Sequence, residues 1–248
     1  MSGHSKWANI KHRKAAVDAK RGKIFTKLIR ELTIAARQGG GDPESNSRLR
    51  SAIAAARTSN MPNDTIERAI NRGTGKGGGI ELYETFYEGY GPGGSAVYLQ
   101  VLTDNKNRTV SEIRRVFTKF GGSLGETGCV AWIFQKKGRI AFDKTKVDEE
   151  RLFEIAIDSG AEDVRPEDSE VVVITSPENI DGVKADIDRA GLKYVSSEVT
   201  MIPQNSVRIE GKEAAQMLRL MEAFDESDDV QNVYSNFDIS EELLEAMG

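Results

Sequence analysis

The sequence predicts an α+β fold, with an N-terminal helical domain followed by two ferredoxin-like α/β domains, one inserted in the other. Three observations carry this expectation. Helical periodicity and glycine stops dominate as far as Gly73, after which aromatic and β-branched runs take over. Between residues 136 and 203 the elements run in the order βαββαβ, the split βαβ arrangement. Beyond Pro203 come a strand, a helix and a strand that make no domain of their own, yet they supply what the segment 83–134 lacks. The expected domains are therefore 1–79, then 80–135 together with 204–240, and an insert at 136–203.

The elements follow in order. Residues 1–10 have no helical period and read as a mobile arm. Lys23 to Gln38 is the clearest helix, with Phe25, Leu28, Leu32, Ala35 and Ala36 on one face and Gly39-Gly40-Gly41 as its stop. A second helix is expected to start at Asp42-Pro43, with Leu49, Ile53 and Ala56 inward. A third, capped by Asn63, runs to Arg72. Residues 73–79 (GTGKGGG) read as a linker and domain boundary. Tyr83–Tyr90 and Ser95–Thr103 form a hairpin about Gly91-Pro92-Gly93-Gly94. Thr109 to Glu112 has the spacing of a capping box, opening a helix with Val110, Ile113, Phe117 and Phe120 inward. A strand is expected at Cys129–Phe134. In the insert, Ser176 and Pro177 are expected to start the second helix.

Charge is the most informative feature. The 248 residues carry a net charge of −5, but residues 1–79 hold 16 Lys and Arg against 6 acids, and the remainder holds 18 against 33. Between Lys6 and Arg30 nine cations face one acid, Asp18. Such a segment attracts a phosphate backbone through Coulomb terms and counterion release, with no sequence requirement. Lys23, Lys27, Arg30 and Arg37 fall within an arc of about 80° opposite the apolar face of their helix. The candidate nucleic-acid-binding residues are Lys6, Trp7, Lys11, Arg13, Lys14, Lys20, Arg21, Lys23, Lys27, Arg30, Arg37 and Lys76. Trp7 in a basic arm suits stacking on unpaired bases. The acidic body is not expected to bind phosphate itself.

Other chemistries find little support. Gly75-Lys76 resembles the end of a phosphate-binding loop, but Ile70 stands where that loop needs glycine and Gly77 where it needs Ser or Thr. His4 and His12 are the two histidines and Cys129 the one cysteine. Cys129 is read as a small core residue, and one cysteine allows no internal disulfide, which suits a reducing cytoplasm. No cofactor, no metal and no catalytic residue is expected. No run approaches the roughly 18 apolar residues of a membrane span, and the N-terminus lacks the apolar core of a secretory signal. Neither an enzyme nor a membrane partner is expected, and the oligomeric state is left open.

The opening block MSGHSKWANIKHRKAAVDAKRGKIFTKLIRELTIAAR, the linker GTGKGG, the turn YEGYGPGG and the ending DDVQNVYSNFDI closely resemble the YebC (YebC/PmpR) family over essentially the whole chain. The resemblance implies a three-domain cytoplasmic protein without catalytic activity. Members are described as transcriptional regulators that bind DNA. Others, including the mitochondrial translational activator of cytochrome c oxidase subunit I, resemble ribosome-associated factors, for which relief of stalling on proline-rich stretches is proposed. Two readings follow: a DNA-binding transcriptional regulator, or a translation factor bound to ribosomal RNA.

Overall fold

The computed structural model of the chain describes residues 18–76, 81–167 and 169–240. The described residues form α1 (Asp18–Gly39), α2 (Ser47–Thr58), α3 (Asn63–Gly73), β1 (Tyr83–Tyr90), β2 (Ala96–Thr103), α4 (Lys106–Lys119) and β3 (Ser123–Leu124). There follow β4 (Phe134–Asp143), α5 (Glu149–Asp158), β5 (Asp163–Pro166), β6 (Glu170–Thr175), α6 (Ile180–Arg189) and β7 (Ser196–Pro203). Last come β8 (Val207–Arg208), α7 (Gly211–Glu226), β9 (Val230–Ser235) and β10 (Phe237–Asp238). This is the expected α+β class: helices first, then two antiparallel four-stranded sheets backed by helices. Trp132–Ser206 is one compact unit, and the segments before and after it make the other.

In the larger unit, α1, α2 and α3 pack through small residues. Leu32, Ala35 and Ala36 of α1 meet Leu49, Ala52 and Ala56 of α2 and Ile66 and Ala69 of α3. The alanines let the helices approach closely, and Gly73 closes the contact: a Cβ there would lie 2.3 Å from the Thr33 carbonyl oxygen. Gly73 thus ends α3 against α1 as well as interrupting the helix.

The sheet of this unit has the order β3-β1-β2-β9. Its two central strands, β1 and β2, are joined through Pro92–Gly94, where Gly93 (φ 69°) and Gly94 (φ 75°) take the left-handed backbone. Side chains alternate across β2, so Val97, Leu99 and Val101 face α4 (Ile113, Val116, Phe117) and α7 (Met217, Leu220, Met221, Phe224). Each fully buried side chain of this size contributes roughly 1.5–3 kcal/mol. Edge strand β9 lies antiparallel to β2, and β10 pairs with β8 in parallel.

In the smaller unit the order β5-β6-β4-β7 is the ferredoxin-like one, antiparallel throughout. Ile140, Phe142, Val171 and Val173 pack on Leu152 and Ala156 of α5 and on Val183 and Ile187 of α6.

Several element starts differ from the sequence reading, each for a local reason. Asp42-Pro43 lies in a turn, and the cap of α2 is Asn46, whose Oδ1 accepts from Leu49 N at 3.0 Å. Pro62, not Asn63, occupies the N-cap of α3. Asn105 caps α4 one turn before the Thr109 box, because Thr109 is buried and bonded to Asp229. Residues 176–179 form a turn ahead of α6. Cys129 is half-buried in a turn rather than in a strand, since the Glu88 carboxylate gathers the backbone N–H groups of Gly128, Val130 and Ala131 at 2.7–2.8 Å and folds that loop around itself.

Candidate nucleic-acid interface

The expected interface begins on the N-terminal arm, and Lys6, Trp7, Lys11, Arg13 and Lys14 lie outside the described residues. Lys20 and Arg21 fall on α1, with side chains outside what is described. Lys23 is exposed on the first turns of α1, and Lys76 is exposed just after α3. The structure therefore brings together, in view, the four cations of the α1 stripe.

That stripe has two kinds of surroundings. Lys27 Nζ donates to the Asp225 carbonyl at 2.8 Å. Arg30 Nη1 donates to the carbonyl of Leu102 at 3.2 Å, to that of Asp228, and to Asp229 Oδ1 at 2.7 Å. Arg37 Nη1 donates to the Leu82 carbonyl at 3.0 Å while the residue stays exposed. The stripe read from periodicity as one solvent-facing surface is thus, from Lys27 onward, a seam against the turn between α7 and β9 and the start of β1.

Two clusters of side chains fix that seam. In the first, Arg48 of α2 grips Glu31 of α1 through Nε–Oε1 at 2.6 Å and Nη2–Oε2 at 3.0 Å, and it reaches Glu84 of β1 at 2.8 and 3.0 Å. Gln38 and Gln100 also donate to Glu84, at 2.9 and 2.7 Å. Burial disfavours both charges, but the hydrogen bonds outweigh it: the Glu84 carboxyl is held down to about 2, and the Arg48 guanidinium is raised.

In the second cluster Asp229, 5% exposed, accepts from Arg30 and from Thr109 (2.6 Å), Thr103 (3.2 Å) and Arg108 (3.1 Å). Burial pushes its carboxyl up, and the Thr109 and arginine contacts bring it below the ordinary value. By composition, Asp225–Asp229 (DESDD) is an ordinary solvated turn. Nothing in local spacing marks Asp229 as the acid on which α1 docks, since its partners lie more than 100 residues away.

Further cations of the helical domain lie outside the set expected from sequence. Arg57 on α2 and Arg72 on α3 are exposed. The Cys129 thiol is pushed up, first by burial and then by the Glu88 charge, which disfavours the thiolate a nucleophile needs.

Comparison with known proteins gives the family. Residues 5–76 match the model described as "TACO1/YebC protein N-terminal domain", and residues 82–237 match "TACO1/YebC second and third domain". The chain belongs to the TACO1/YebC family. A relative from Geotalea uraniireducens is 58% identical over 247 residues, covering 100% of both chains. One from Syntrophus aciditrophicus is 56% identical over 248 residues, covering 100% of this chain and 99% of its own. Both are named "Probable transcriptional regulatory protein". The crystal structure of a conserved hypothetical protein from Aquifex aeolicus superposes with a TM-score of 0.84 at 48% identity, over 96% of this chain and 99% of that one. Among the described residues no helix is long and apolar enough to cross a membrane.

Proposed function

We propose that this TACO1/YebC-family chain is a cytoplasmic, nucleic-acid-binding regulator of gene expression that works as a binder rather than a catalyst. It would be a DNA-binding transcriptional regulator of the kind its relatives' names describe. The observation that carries the reading is the charge of the N-terminal 79 residues, 16 cations against 6 acids on an otherwise acidic chain. The grip is assigned to Lys6, Trp7, Lys11, Arg13, Lys14, Lys20, Arg21 and Lys23, with Arg37 and Lys76 at its margin. Lys27 and Arg30 serve it at one remove, by seating α1 on the sheet. The division of labour follows the limits 1–79, 80–135 with 204–240, and 136–203.

One observation favours a second reading, a ribosome-associated factor bound to ribosomal RNA. A recognition helix must present a free face to the major groove. On α1 the face bearing Lys27, Arg30 and Arg37 is engaged with the α7–β9 turn and with Leu82. A basic arm beside a seated helix suits irregular RNA better than a groove.

The test replaces Lys11, Arg13, Lys14 and Lys23 by Glu in the full chain and leaves Lys27 intact because of its bond to Asp225. Affinity for a duplex DNA and for a structured RNA is then measured against salt. The expected result is loss of binding to the preferred probe with an unchanged unfolding midpoint. Unchanged affinity and unchanged salt slope would remove the reading.

A further inference from the structure

Helix α4 carries Lys106, Arg108, Arg114, Arg115 and Lys119 against one acid, Glu112. It does so inside the acidic part of the chain, where acids outnumber cations 33 to 18. The helical period places Ser111, Arg114, Arg115, Thr118 and Lys119 on one side, opposite the buried Thr109, Ile113, Val116 and Phe117. These five outward side chains line a shallow hollow of about 560 Å³, and all five residues are exposed. Glu112 is half-buried at the edge of this arc.

The surroundings of these cations set them apart from the exposed cations of the same body that are neutralised locally. Arg108 pairs with Asp104 and Asp229, Lys146 with Asp143, Arg165 with Asp163, and Arg208 with Glu210. Arg114 and Arg115 have no carboxylate partner among the described residues, and Lys119 lies over the Phe120 ring at 5.1 Å. An array of exposed cations with no acid within the face is complementary to a polyanion. The Ser111 and Thr118 hydroxyls donate to the Asn107 and Arg114 carbonyls of their own helix, each at 2.9 Å, so the face offers charge rather than hydroxyl protons.

The face is also continuous with the N-terminal module. Asp229 Oδ1 accepts from Arg30 of α1 at 2.7 Å, and its Oδ2 accepts from Arg108 at the start of α4 at 3.1 Å. From Arg108 to Lys119 the helix advances about 16 Å. One carboxylate therefore joins the root of the basic module to the start of a second cationic track.

We propose that the outward face of α4 is a second phosphate-binding surface, occupied by the backbone of the same nucleic acid that the N-terminal module grips. The inference rests on the nucleic-acid reading above and adds a contact in a domain whose overall charge argues against one. Arg114, Arg115 and Lys119 supply the charge. The sequence reading assigned no phosphate to the acidic body, because a sum over the domain hides one helix face.

The test uses the full chain with Arg114→Gln, Arg115→Gln and Lys119→Gln together, titrated with salt against a labelled single-stranded RNA of about 30 nucleotides and a DNA duplex of about 30 base pairs. Loss of three phosphate contacts is expected to flatten the slope of log K against log salt by about 2 for the RNA or about 3 for the duplex. Affinity near physiological salt should fall about tenfold or more. The charge-preserving variant Arg114→Lys/Arg115→Lys should keep the parent slope, which separates charge from helix packing. An unchanged slope and affinity in the glutamine variant overturns the α4 surface and leaves the N-terminal module to be judged by its own variant. A weakened α4 variant beside an N-terminal variant that binds like the parent overturns the N-terminal reading and keeps α4 as the phosphate surface. Failure of the parent chain to bind either probe overturns both.

Discussion

Asp229 accepts hydrogen bonds from Arg30, Thr103, Thr109 and Arg108, side chains drawn from α1, β2 and α4. It ties α1, which packs in the core of the helical domain, to β2 and α4, which share the core of the first sheet. Truncating it leaves a half-buried arginine without its anion and a buried threonine pair without its acceptor. Asp229→Ala is expected to destabilise the chain by about 2–4 kcal/mol, toward the lower part of the range for breaking buried pairs because Arg108 reaches solvent. Urea unfolding followed by circular dichroism checks this, and a loss below about 0.5 kcal/mol contradicts it. No periodicity argument could have found Asp229. It sits in an acidic run with the composition of an ordinary turn, and its role depends on four distant partners. Lys23 and the arm cations, by contrast, were legible because their signal is local charge density. Lys27 and Arg30 show the limit of that signal: the sequence placed them on the right face of the helix but not against what that face meets.

At the scale of elements, the alanine-rich faces of α1 and α2 and the glycine at the end of α3 set the spacing of the helical domain. Gly73 was legible as a helix stop, and its second role was not, because close approach to the Thr33 carbonyl is a property of the packed pair. Gly73→Ala should force α1 and α3 apart at a cost of about 1–3 kcal/mol, read as a lower unfolding midpoint. A midpoint equal to the parent's would show that the helices separate freely. Asn46 ties the same domain at its other corner. Its Nδ2 donates to the carbonyls of Ala35 and Gly40 at 2.9 and 2.8 Å while Oδ1 caps α2. Asn46→Ala removes an N-cap and strands two acceptors, a loss of about 2 kcal/mol or more. Strand positions were easier to read than helix starts. β1 and β2 fall where aromatic and branched residues put them, whereas α4 and α6 begin where tertiary partners, Asp229 for α4, decide which polar residue caps.

Across the whole molecule, the helical domain is seated on the first sheet through charge, and that makes the seat sensitive to acid. Glu84 has its carboxyl lowered from 4.5 to about 2 by its contacts with Arg48, Gln38 and Gln100 against the cost of burial. Its contribution to stability is therefore fully present above pH 4.5 and is lost as pH falls through about 2. Asp229 is lowered too and acts in the same direction. Hydrogen exchange of α1 amides should accelerate as pH falls through this window, after correction for the intrinsic rate, and Glu84→Gln should flatten that dependence. The charge asymmetry that separates this domain from the rest of the chain was visible in the sequence. Its compensation across the seam, arginine to carboxylate, was not.

The central claim is that nucleic acid is held by the basic N-terminal module, and crosslinking tests it most directly. The full chain is irradiated in growing cells, the crosslinked peptides are identified by mass spectrometry, and the attached nucleic acid is sequenced. The account predicts crosslinks within residues 1–30, Trp7 foremost, with promoter DNA recovered under the first reading and ribosomal RNA under the second. Crosslinks confined to residues 132–206, or a chain that carries no nucleic acid, would contradict it.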